Sequence, residues 1–208
     1  MKMFSRRVIC VATSLAALGT PMLANAESNI VTGAGALSAN AKLDFRVVIP
    51  KVIFLQVGTG TSMANNASVS LIDFDVPAAN VGDSSVIAAT VPSGDLGNGV
   101  VTAKVVGNAG TVSLTSTATG ALGNGAGDTL AFTQISTAST LLTTGTILAA
   151  PALTNGTSAI VTLTPVGKIV NQDARWTFTY LNATVPPSGT YGGTNLNNSR
   201  VTYTASVL

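Results

Sequence analysis

In residues 37–49 every second side chain is apolar: Leu37, Ala39, Ala41, Leu43, Phe45, Val47 and Ile49, with Ser38, Asn40, Lys42, Asp44 and Arg46 between them. A period of two places alternate side chains on opposite faces of a strand, so the run reads as β with one apolar face. Thirteen residues would reach roughly 43 Å at about 3.3 Å each, far beyond a usual strand of about five or six residues. The run therefore holds two strands joined by a bend, or one strand shared with a neighbour, and the pattern alone leaves both open. Pro50 interrupts it because proline has no N–H to donate to a ladder.

The rest of the chain continues in the same manner. Residues 52–57 form a short apolar segment closed by Gly58-Thr59-Gly60, and further strands are expected over 68–76, 85–91, 100–106, 130–135 and 159–163. Asn108-Ala109-Gly110 reads as a tight turn that pairs residues 100–106 with 111–116, setting Val101, Ala103 and Val105 against Val112 and Leu114. Trp176, Phe178 and Tyr180 alternate with threonines and are expected to anchor the core rather than to form a ligand platform. Residues 200–207 close the series, with Val201, Tyr203, Ala205 and Val207 on one face. Residues 141–150 read as a short helix or a loop. Nothing beyond the first 26 residues keeps a helical period of 3.6, so the expected fold is an all-β, antiparallel, immunoglobulin-like sandwich in one domain over 27–208.

Those first 26 residues have the three parts of an export signal. Lys2, Arg6 and Arg7 precede an apolar run from Val8 to Leu18, and Ala24-Asn25-Ala26 precedes Glu27, which places cleavage between Ala26 and Glu27. The apolar run is too short to span a bilayer, so no membrane span is expected in the mature chain. Three of the ten basic residues and none of the eight acidic ones fall in this leader, so the formal charge moves from +2 to −1 on its removal. The remaining cations are scattered, which argues against a nucleic-acid partner. Charged residues make up 9% of the chain against about 25% in ordinary soluble domains, as in surfaces built from Ser, Thr, Asn and Gly or covered by neighbours.

Chemistry is sparse. The sequence has no histidine, and its one cysteine, Cys10, lies in the leader, so disulfides, zinc sites and the usual nucleophile–base pairs have no residues to form them. No enzyme activity, catalytic residue, metal site or cofactor is expected. Asp73, Asp75 and Asp128 are oxygen donors of the kind calcium uses, yet carboxylates alternating on a strand more often face water.

On the export signal, the alternating residues 37–49, the Thr- and Gly-rich strands and the closing Gly189-Thr190-Tyr191 and Arg200-Val201-Thr202-Tyr203-Thr204-Ala205, the chain resembles bacterial fimbrial or pilus subunits assembled by a periplasmic chaperone and an outer-membrane usher. The resemblance implies an incomplete immunoglobulin-like sandwich whose hydrophobic groove accepts the N-terminal strand of the next subunit. It makes Leu37, Ala39, Ala41, Leu43 and Phe45 the donor residues. It also implies self-association, a chaperone as partner, and passage through the periplasm to the cell surface. The chain departs from that pattern in lacking a disulfide and in the distance of Tyr203 from the C-terminus. A self-contained surface module that binds a carbohydrate or host ligand, its own edge filled by residues 37–49, is the alternative.

Overall fold

The computed structural model describes residues 28–143 and 145–207; the leader and the cleavage point at Ala26 and Glu27 lie outside them. The chain divides into two units, Met1–Ile49 and Pro50–Leu208. In the second, β1 (Ile53–Val57), β2 (Ile87–Ala88), β3 (Val100–Gly107), β7 (Ile135–Thr140) and β9 (Val170–Tyr180) form one sheet. A second sheet has the order β10 (Val201–Val207), β4 (Val112–Ala118), β8 (Val161–Leu163), and a small ribbon joins β5 (Leu122–Gly123) to β6 (Thr129–Leu130). Every ladder between these strands is antiparallel. The fold is an all-β antiparallel sandwich, as the alternation predicts.

The core follows from period two. Along β3 the buried side chains are Val101, Ala103 and Val105, and along β9 they are Val170, Ala174, Trp176, Phe178 and Tyr180. Val112, Leu114 and Leu163 meet them from the opposite sheet. Trp176 is wholly enclosed, at 0% exposure. Its indole N–H donates to the Leu148 carbonyl at 2.8 Å, which removes the penalty of burying that polar group.

Several expected elements turn out differently. Residues 100–106 and 111–116 do not form a hairpin: β3 is flanked by β1 and β9, and β4 by β10 and β8. With both edges of β3 occupied, Asn108-Ala109-Gly110 carries the chain across to the other sheet. The apolar faces of β3 and β4 still meet, but through the core rather than across a ladder. The strand expected over 130–135 is split, with a 3-10 turn at Phe132–Gln134 leading into β7. The strand expected over 85–91 shrinks to β2, and the described residues of 141–150 hold no helix.

Residues 37–49 carry no strand, nor does any residue of 28–49, and each of 28–49 is exposed. The alternation is present, but a ladder needs a second strand, and no ladder among the described residues includes this segment. Leu43, Phe45, Val47, Val48 and Ile49 are therefore left in solvent, Phe45 at 86% exposure.

Candidate functional site

The second unit is open along one side. A groove of about 1580 Å³ runs over the core, larger than the roughly 300–1,000 Å³ of a small-molecule pocket. Val101, Leu122, Phe132, Phe178, Tyr180 and Tyr203 contribute to its lining. Strand edges bound it. β1 pairs only with β3, and β10 only with β4, so each has one edge without a partner strand among the described residues.

Residues 68–76 continue the β1 side. Gly94 N–H donates to the Leu71 carbonyl at 3.2 Å, and Thr90 N–H to the Asp73 carbonyl at 2.8 Å. Glycine is required at 94 by the chain on its other side: its φ is +80°, and a Cβ there would strike the Val100 carbonyl. Between and beyond these two bonds lie Ser70, Ile72, Phe74 and Val76. None of them makes a backbone–backbone hydrogen bond among the described residues. Ile72 and Phe74 turn their side chains onto the core, and the Phe74 ring lies 6.3 Å from that of Tyr180. No strand forms over 68–76, where one was expected: the segment makes only these two backbone hydrogen bonds to residues 90 and 94 among the described residues, too few for a ladder.

On the opposite side, Val201, Tyr203 and Ala205 of β10 pack against the core while Thr202 and Thr204 are exposed. The Tyr203 ring rests 5.2 Å from Trp176. Burial pushes the Tyr203 hydroxyl well above the ordinary phenol range. Burial, with the neighbouring Tyr191, raises Tyr180 as well. The tyrosines of the groove thus stay uncharged, and its formal charges sit at Asp73, Asp75 and Arg200.

A polar knot fixes the chain beside one part of the groove. Asp83 accepts the Ser85 hydroxyl at 2.6 Å, the Ser85 N–H at 2.8 Å and the Asn80 amide at 2.9 Å. Asn182, at 4% exposure, donates to the Asn80 carbonyl at 2.8 Å. The Ser85 bonds first, and then Asn80, hold the Asp83 carboxyl below its ordinary value of 3.8. A depressed carboxyl adds stability that is full above the ordinary value and is lost as pH falls through the lower, folded one. Asp83→Asn is therefore expected to lower loop protection, read as amide exchange at residues 80–85, at pH 6. The difference from wild type should shrink as pH falls below the ordinary carboxyl value and Asp83 takes up its proton; a difference unchanged in acid would remove Asp83 titration as its cause.

The structure places the five expected donor residues, Leu37, Ala39, Ala41, Leu43 and Phe45, in the exposed first unit, and the groove in the second. The resemblance implied a hydrophobic groove, but nothing in the residues said which of them line it; residues 68–76, which contribute to it, read as an ordinary strand. Asp73 and Asp75 are exposed, and among the described residues no three His, Cys, Asp or Glu side chains gather as a metal site would require. No helix among the described residues is long and apolar enough to cross a membrane. Comparison with protein-family models, with curated proteins and with solved structures finds no match to this chain.

Proposed function

We propose that this chain is an exported structural subunit of a cell-surface fimbria or similar assembly, joined to its neighbours by β-strand addition. The observation that carries the reading is the groove: larger than a small-ligand pocket, lined in part by core side chains, and bounded by β1 and β10, whose outer edges offer hydrogen-bonding groups to no further strand among the described residues. An incoming strand would satisfy those groups while its alternate side chains fill the groove. Residues 37–49 have the matching character, apolar at every second position and exposed. The occupant is then this segment from a second copy, with Leu37, Ala39, Ala41, Leu43 and Phe45 entering the groove. Such a subunit is an immunoglobulin-like sandwich short of one strand. Before assembly its open edges are prone to wrong pairing, which gives a periplasmic chaperone its role.

The test is size-exclusion chromatography with negative-stain imaging of residues 27–208, with and without residues 27–45. Fibres or oligomers are expected from the longer protein only, and the shorter one should take up a peptide of residues 37–49. A stable monomer in both forms that ignores the peptide would overturn the reading in favour of a self-contained surface module.

A further inference from the structure

We infer that Asn108 is a positioning residue that keeps residues 37–49 out of the groove of their own molecule, leaving that groove to a second copy. The inference rests on the reading of the groove as a strand acceptor. Three hydrogen bonds join Asn108 to the start of the second unit. Its side-chain amide donates to the Pro50 carbonyl at 2.8 Å, its side-chain oxygen accepts the Val52 N–H at 2.8 Å, and its own N–H donates to the Val52 carbonyl at 3.2 Å. The side chain thus supplies the donor and acceptor that one more residue of β3 would have offered. Pairing with β3 is extended back from Ile53 to Pro50, and the main-chain groups of Pro50 and Val52 are turned towards β3.

A segment that precedes β1 can lie along the open edge beside β1 and residues 68–76 only if the chain reverses ahead of β1. The Asn108 bonds exclude residues 50–52 from that reversal. Immediately ahead stand Val47, Val48 and Ile49. All three are β-branched, and none is of the Gly, Asn, Asp or Ser type that tight turns use. Ile49 is restricted further to extended conformations by the proline that follows it. A reversal earlier, around Asp44, would take Leu43 and Phe45 out of the alternating run. Filling from a second molecule needs no turn at all, so the local chemistry at Asn108 and residues 47–50 selects assembly over self-closure.

The experiment uses residues 27–208 carrying Val47→Asn with Val48→Gly, which supplies a two-residue hairpin turn, alone and combined with Asn108→Ala. Each protein is run on size-exclusion chromatography and then offered a fluorescent peptide of residues 37–49. The combined variant is expected to shift from oligomers to monomers whose peptide uptake is at least about tenfold below that of the protein lacking residues 27–45, with the turn variant alone in between. Monomers that take up peptide freely have empty grooves and would overturn the inference, as would assembly unchanged from wild type. Asn108→Ala in the shortened protein is expected to leave peptide uptake unchanged; loss of uptake there would reduce Asn108 to a structural role. If the unmodified shortened protein takes up no peptide, the strand-acceptor reading itself falls. If it does and the turn variants still assemble, only the role of Asn108 falls.

Discussion

Trp176→Ala is expected to destabilise the second unit by about 3–5 kcal/mol, the range for deleting a large buried aromatic. Against a total stability of about 5–15 kcal/mol, that leaves a domain near or below its folding threshold. Two causes add. The indole is wholly enclosed between the sheets, so its removal leaves a cavity that a β-sandwich core closes only in part. The Leu148 carbonyl, on a residue that is itself fully buried, also loses its hydrogen-bond donor. Because Tyr203 packs on Trp176 from β10, the groove wall should loosen with the core, and peptide uptake should fall before the domain unfolds globally. Urea denaturation followed by circular dichroism reads the first effect. A loss of less than about 1 kcal/mol would mean that the enclosure of Trp176 is not what stabilises the sandwich.

The double change Leu43→Asp, Phe45→Asp is expected to abolish assembly of residues 27–208 while leaving the melting temperature of the second unit unchanged. Each replacement forfeits about 1.5–3 kcal/mol of side-chain burial on strand addition. Each carboxylate must also lose its hydration in an apolar groove or avoid that groove altogether. Together these should weaken peptide binding by at least about a thousandfold, at 1.4 kcal/mol per tenfold. In the free protein both side chains are exposed, so the fold has nothing to lose. Ser38→Asp with Asn40→Asp alters the opposite face of the same segment and should change binding only a few-fold. Isothermal titration of the two peptides against the shortened protein separates the cases. Equal losses would mean that composition, rather than the face presented, governs binding, which is incompatible with alternate side chains entering a groove.

The sheet class was legible because burial on one face writes a period of two into β3, β9 and β10, and the three aromatics of β9 marked the core for the same reason. Pairing was not legible. Val101, Ala103 and Val105 face Val112 and Leu114 whether the strands are neighbours in one sheet or opposite one another across a core. Only occupation of both β3 edges, by residues far away in sequence, decides between them. Residues 37–49 show the limit most plainly, since alternation records what a segment is suited to and not whether a partner is there. The groove lies further still from the sequence. It is defined by hydrogen-bonding groups left over at residues 70–76, β1 and β10, and backbone vacancies leave no signature in side-chain order.

The ladders also set how this chain comes to its fold. Apart from the small β5–β6 ribbon, no two strands consecutive in sequence pair with each other among the described residues. Val100 must find Thr177, and Val112 must find Val207. Both long loops must close before either contact repays their entropy, so the topology belongs to the slow end of folding, on the order of milliseconds to seconds. The delay falls on a molecule whose strand edges remain open even when folding is complete. Its hazard is therefore one of time as well as of surface, and at a given concentration the yield of native protein is governed by the race between long-range pairing and collisions with other unfinished chains.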